Sequence, residues 1–257
     1  MPEAPDLEVI REVLTRRVVG RPISDVRVLR PTVLRSFAAQ DFAADLVGRT
    51  FSEVSRRGKF LIFACDGSGP EARLLVINPM LTGTLQLCDP AERVLKRTCI
   101  VLTFDGDQAL RYVDDRQMGK VYYVSGSQVG QVPRLEEQGP DGLNDPIGFD
   151  EFKARLRQFH GEVKGMLTRG AFVSGIGNAY SDEVLFAAGI SPFRKRKTLS
   201  DEELARLHAC VRDVVADAVM VLRERMGETT RHKIRDFLRS TTRADSRVRV
   251  AALLSAS

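Results

Sequence analysis

The chain has 257 residues, 43% hydrophobic and 28% charged, enough for one large domain or two of ordinary size with a sizeable core. No apolar run reaches the roughly 20 residues of a membrane span, and the acidic start at Glu3, Asp6 and Glu8 lacks the basic flank of a signal peptide; a soluble, intracellular protein is expected. Thirty-nine Lys and Arg against 34 Asp and Glu leave a net charge of +5, a balance that favours a polyanionic partner over an acidic small molecule.

The chain opens Met1-Pro2-Glu3-Ala4-Pro5-Asp6. With Met1 removed, Pro2 would present a free secondary amine. An α-amine titrates near pH ~8, whereas a lysine must be perturbed down from ~10.4 before it is a useful nucleophile. A secondary amine attacking an aldehyde-like carbon gives a charged iminium directly, and Glu3 beside it is placed to move protons. A Met-Pro start is also common without chemical meaning, so it counts only together with other features.

A helix is predicted from residue 6 to about 19, with Leu7, Ile10 and Leu14 on one face beside Val9 and Val13. Short β-rich runs follow at 24–29, 59–64, 74–78, 82–87, 98–104, 109–113 and 120–124, punctuated by turns such as Asp105-Gly106-Asp107. Residues 125–149, rich in Ser, Gly, Pro and Gln, read as a linker. Beyond it the chain turns helical. The clearest helix runs from Asp201 to about Arg225, with Leu204, Leu207, Val211, Val214, Val215, Ala218 and Leu222 on one stripe and a Ser200/Glu203 capping box at its start. The expected fold class is α+β: an N-terminal helix and β-sandwich domain over 1–124, the linker over 125–149, a helical domain over 150–238 and a tail over 239–257. A cleft between two such domains is a common place for a ligand.

Three regions carry candidate chemistry. Ser174-Gly175-Ile176-Gly177-Asn178 precedes a helix start, but a dinucleotide-binding reading fails for want of a third glycine and a leading strand. What remains is either a plain connecting turn or a phosphate cradle of backbone N–H groups, to which Asn178 adds a side-chain donor. Phe193-Arg194-Lys195-Arg196-Lys197 follows within one helix length; it is either a solvated basic face or a set of phosphate contacts. In the β-rich part, Arg56-Arg57-Gly58-Lys59 precedes a strand, and the loops at 78–83 and 114–119 present Leu81, Arg116 and Met118, side chains suited to wedging a duplex. Cys65, Cys88, Cys99 and Cys210 form no Cys-x-x-Cys pair, and His160, His208 and His232 have no ligand-like spacing. His208, inside a periodic helix, reads as a structural or surface residue.

These pieces together resemble the family of bifunctional DNA glycosylases that includes formamidopyrimidine-DNA glycosylase and endonuclease VIII. The likeness runs in order from residue 2 to about 239. It is carried by Pro2, Glu3 and Pro5 at the start, by Arg57-Gly58-Lys59, and by Gly175, Gly177, Asn178, Tyr180 and Glu183, which match the family's helix-two-turn-helix pattern. The resemblance implies base-excision repair of double-stranded DNA with damaged bases, by a monomer acting in the cytoplasm on the nucleoid. The damaged nucleotide is flipped out, Pro2 attacks its sugar and displaces the base, and Glu3 transfers protons. The iminium then permits strand cleavage at the abasic site. Lys59 and Asn178 are implied to grip phosphates, Glu183 to shape charge around the nucleophile, Arg116 to fill the vacated space, and Leu81 and Met118 to wedge the helix.

The tail departs from that family. Most relatives end in a four-cysteine zinc finger whose hairpin delivers an arginine to the DNA, and here 232–238 match its approach while the cysteines are missing. No cofactor is therefore expected. Either a zincless hairpin forms around Ala244-Asp245-Ser246, with Arg243, Arg247 or Arg249 supplying the grip, or the finger is degenerate. The alternation in Arg247-Val248-Arg249-Val250 favours the first. A non-catalytic relative that only binds damaged DNA is the rival reading. The stretch from about Arg223 to Lys233, where relatives specific for oxidised purines read the base, is short and charged, so oxidised bases in general are expected.

Overall fold

A computed structural model describes residues 1–65, 69–145, 147–228, 230 and 234–240. It divides into two compact units. One is β-rich and comprises Met1, Pro2, residues 6–137 and the described residues between 226 and 230; the other is helical and comprises Glu3–Pro5, residues 138–225 and the described residues from 234 onward.

The β-rich unit contains helix α1 (Ala4–Val18, whose first residues belong to the helical unit), β1 (Ile23–Val28), β2 (Leu34–Ser36), α2 (Phe42–Leu46), β3 (Phe51–Arg57), β4 (Phe60–Cys65), β5 (Arg73–Asn78), β6 (Gly83–Cys88), β7 (Thr98–Phe104), β8 (Ala109–Asp114) and β9 (Lys120–Ser125). The strands make two sheets, ordered β1-β7-β8-β6 and β2-β9-β5-β4-β3. Pairing is antiparallel throughout except between β2 and β9. Leu75 and Ile77 of β5 and Val121 of β9 surround one small apolar space together with Leu85, Ile100 and Leu110 of the other sheet, so the two sheets form a sandwich with its core between them.

The predicted strands are all present, with ends moved by a residue or so. Sequence reading misses β2, α2 and β3, for different reasons. β2 has three residues, and α2 has five, started by the Asp41 carboxylate on the Ala44 N–H at 3.0 Å. β3 carries Glu53, Arg56 and Arg57 and lies at a sheet edge, where one side is unpaired and a charged strand is tolerated. Part of the 125–149 segment is not a connector: Val132 and Leu135 are buried against Phe60, Val76 and Val124.

The helical unit contains α3 (Phe149–Arg157), α4 (Val163–Leu167), α5 (Asn178–Ala188) and α6 (Asp201–Met226). Its core joins Phe152, Phe172, Val184, Leu185, Leu207 and Val211. The capping box at the start of α6 is formed: the Ser200 N–H donates to Glu203 Oε2 at 2.9 Å and the Glu203 N–H to Ser200 Oγ at 3.2 Å. His208 is structural, its Nε2 2.7 Å from the Ile147 carbonyl and its ring against Phe149 and Phe152. No helix of the described residues is long and apolar enough to cross a membrane.

Candidate active site

In the helical unit, the turn Gly175-Ile176-Gly177 leads into α5, whose first residue is Asn178. Gly177 stands at the N-cap position and has no side chain to cap with, so the first N–H groups of α5 need another acceptor. Glu3 supplies it. Its carboxylate accepts the N–H groups of Gly177 at 2.6 Å, Tyr180 at 3.2 Å and Ala179 at 3.1 Å, and the Ala4 N–H donates to the Gly175 carbonyl at 2.9 Å. A helix N-terminus favours an anion. The turn read as either a plain connector or a phosphate cradle thus holds this chain's own carboxylate, with Asn178 left exposed beside it. The two glycines serve different ends. Gly175 has φ +89, a conformation other residues rarely adopt. Gly177 is needed for space, since a Cβ there would lie 2.6 Å from Glu3 Cδ.

Glu183, on α5 and buried, accepts the consecutive N–H groups of Arg239 at 2.9 Å and Ser240 at 2.8 Å. The Arg235 guanidinium lies over the Tyr180 ring, 4.9 Å from its centre, and donates to its hydroxyl at 3.1 Å. Two residues of the helix-two-turn-helix pattern therefore anchor the segment 234–240. Arg194 is also held internally: its guanidinium donates to Thr198 Oγ1, the Thr198 carbonyl and Glu203 Oε2. Lys195 and Lys197 stay exposed around a hollow shared with His160 and Arg196. Arg247 and Arg249 lie outside the described residues.

In the β-rich unit, Pro2 is buried and is one peptide unit from Glu3. Gly58-Lys59 is the two-residue turn between β3 and β4, closed by the pair Arg57 and Phe60. Gly58 has φ +57, and a positive φ at the first central position alone marks a type II′ hairpin. Arg56, the first residue of the Arg56-Arg57-Gly58-Lys59 run, sets this turn. Its side chain is fully buried, with Nε donating to Glu8 Oε2 at 2.7 Å and a second nitrogen to the Gly58 carbonyl at 3.0 Å. Burial alone would raise the Glu8 carboxyl, but hydrogen bonds and charge from Arg56 and Arg11 outweigh it and hold it below the usual value. Helix α1 is so tied to the turn that carries Lys59. Leu81 and Met118, 48% and 40% exposed, stand on loops at the strand ends, with Arg116 exposed between Asp115 and Gln117.

No group of three or more His, Cys, Asp or Glu among the described residues is placed to hold a metal ion, and residues 239–257 contain neither Cys nor His.

The family model described as the formamidopyrimidine-DNA glycosylase N-terminal domain matches residues 1–121, and that of the H2TH domain of the same enzymes matches 138–231. The chain belongs to the formamidopyrimidine-DNA glycosylase family. It is 37% identical over 229 residues to the formamidopyrimidine-DNA glycosylase of Symbiobacterium thermophilum, covering 89% of this chain and 72% of that one. With that of Pelotomaculum thermopropionicum it shares 30% over 238 residues, 93% of this chain and 82% of the relative. Among solved structures it is similar to the Lactococcus lactis formamidopyrimidine-DNA glycosylase bound non-covalently to DNA containing an AP site, with a TM-score of 0.76, 28% identity, and 85% and 82% of the two chains covered. A complex of a variant of that enzyme with Fapy-dG DNA gives 0.77 at 28% identity, over 85% and 79%. Membership makes this chain a DNA glycosylase of base-excision repair. The Glu8 carboxylate that holds Arg56 carried no motif signal in the sequence.

Proposed function

We propose that the protein excises oxidised bases from double-stranded DNA and then cleaves the abasic site through an iminium on Pro2. The observation that carries the reading is Glu3. An acidic side chain fixed by three backbone N–H groups, one peptide unit from a prospective secondary amine, is a positioned proton carrier beside a nucleophile. With Met1 removed, the Pro2 nitrogen attacks the sugar C1′. The glycosidic C–N bond breaks and the base leaves with a proton. The Glu3 carboxylate takes the proton that the Pro2 nitrogen sheds on attack and delivers it to the sugar ring oxygen as the ring opens to the iminium, while the proton on the departing base comes from water. Loss of a C2′ proton then expels the 3′ phosphate, further elimination expels the 5′ phosphate, and hydrolysis of the iminium returns Pro2. Flipping costs a few kcal/mol, less at a damaged base. Leu81, Arg116 and Met118 would fill the duplex at that point, and Lys59 and Asn178 would hold the flanking phosphates. For Glu183 the supported role is to fasten residues 239 and 240, from which the tail continues.

Borohydride reduction in the presence of abasic DNA tests the nucleophile. Protein verified to begin at Pro2 should give a covalent adduct, and Pro2→Ala, whose amine is primary, a weaker one. No adduct with the native N-terminus would remove the lyase step. Tight DNA binding without base release would instead support the non-catalytic reading. Duplexes carrying different oxidised purines and pyrimidines, each assayed for base release, define the lesion.

A further inference from the structure

Two connections between the sheets meet at one carboxylate. The register pairs Gly83 with Asp114 across β6 and β8, and Asn78 with Lys120 across β5 and β9. The connection 79–82 therefore leaves and returns beside the connection 115–119, and both cross from one sheet to the other. Asp114, the last residue of β8, is buried. Its Oδ1 accepts the Thr82 hydroxyl from the first connection and the Arg116 N–H, at 3.2 Å, from the second. Its Oδ2 accepts the Gly119 N–H at 2.8 Å and the Tyr112 hydroxyl at 3.3 Å. The Arg116 N–H also reaches Thr82 Oγ1 at 3.3 Å. Burial, reinforced by the Asp114 charge, pushes the Tyr112 phenol far above its usual value, so it stays a donor. A Cβ on Gly83 or Gly119 would overlap that hydroxyl. A buried carboxylate with four donors is fully satisfied, and its geometry is correspondingly fixed.

Both connections carry the same device. Met80 at φ 49 precedes exposed Leu81, and Gln117 at φ 51 precedes exposed Met118. A left-handed backbone at a non-glycine residue persists only where its surroundings over-determine it. Here the Asn78 side chain holds the Met80 N–H at 3.2 Å, and Asp114 holds the N–H groups on both sides of Gln117.

We infer that Asp114 is a positioning residue, locking the two connections into one rigid probe so that Leu81, Arg116 and Met118 enter the duplex as a unit. The inference rests on the reading of those three side chains as duplex contacts. A probe ordered beforehand avoids the entropy of ordering two loops on binding.

The test uses the full chain with Asp114→Asn and, as the milder change, Thr82→Val, which removes one link at nearly constant volume. Three quantities are followed: single-turnover base release from a lesion duplex, fluorescence of 2-aminopurine beside the lesion as a report of unstacking, and borohydride trapping on a single-stranded abasic oligonucleotide, where there is no duplex to open. Both variants should slow duplex excision by about 10- to 100-fold, the scale of a misplacement of about 1 Å, and lose the 2-aminopurine signal. Single-strand trapping should hold, and Thr82→Val should melt within a few degrees of the parent. Combining Asp114→Asn with Met118→Ala should be no worse than the worse single change, because the two act through one element. An intact 2-aminopurine signal, an equal loss on single strands, or full additivity with Met118→Ala overturns the inference. If Leu81→Ala, Arg116→Ala and Met118→Ala leave duplex excision unaltered, the underlying reading falls and the inference with it. If they impair it while Asp114→Asn and Thr82→Val do not, only the inference falls.

Discussion

Glu3 and Gly177 are 174 positions apart in the chain and depend on one another. The glycine has an ordinary extended φ of −125, so a methyl group there is excluded by the carboxylate and not by the backbone. Gly177→Ala should displace Glu3, break hydrogen bonds worth about 1–3 kcal/mol when left unmade, and lower base release at least about tenfold. Gly165→Ala on α4, with nothing within 4 Å of the new methyl, is the control and should leave melting and activity alone or raise stability slightly. Glu3→Gln keeps an acceptor for Gly177 and Tyr180 while losing the charge, so its melting point should fall little but base release by about 100-fold or more. Melting curves with single-turnover assays separate these outcomes; a Gly177→Ala protein as stable and active as the parent would refute the close-approach account. The sequence made the motif glycines visible. It could not show that the anion they receive comes from residue 3, because a long-range contact leaves no local period or propensity.

At the scale of elements, the sandwich and the helices were legible wherever a continuous β-forming run or a 3.6-residue stripe marks burial, as in β7 and α6. Short or edge elements were not, since β2 and α2 offer too few residues for a period and β3 carries three charges in seven residues. The link between α1 and the Lys59 turn was equally invisible: Glu8 reads as one more acidic residue in a helix, and Arg56 as the neighbour of a motif. The pair is buried, with 5% and 0% of the two side chains exposed, and removing one partner of such a pair costs about 3–5 kcal/mol. The folded Glu8 carboxyl is held below its usual value. Its contribution is therefore present above the unfolded value of ~4.3 and is lost as pH falls through the folded one. Glu8→Gln should be destabilised by that amount at pH 7, and the difference from the parent should shrink below pH ~4.5. Denaturant midpoints at stepped pH measure it; a gap that stays constant into the acid range would mean that packing, not the ion pair, is responsible.

For the whole molecule, the net charge of +5 is a small remainder of 39 cations and 34 anions, so DNA affinity must depend on where the cations are free to meet phosphate. Phe193 to Lys197 shows how little a charge run says by itself. Arg194 lies within it but is clasped by Thr198 and Glu203, whereas Lys195 and Lys197 are exposed around a hollow of about 320 Å³ that His160 and Arg196 also line. The loops that build this hollow are joined by backbone bonds, Val163 N–H to the Arg194 carbonyl at 2.9 Å and Arg196 N–H to the Gly161 carbonyl at 3.1 Å, so the lysines stand on a fixed base. Each phosphate neutralised contributes about 0.9 to the slope of log affinity against log salt. Lys195→Gln with Lys197→Gln should therefore flatten that slope by up to about 1.8, without changing the preference for damaged over intact duplex. Arg194→Gln should leave the slope unchanged and instead lower the melting temperature, because it unfastens the loop from α6. Fluorescence anisotropy across a salt series reads the slopes. A flattened slope for Arg194→Gln, or an unchanged one for the lysine pair, would reverse the assignment and make the lysines a solvated face.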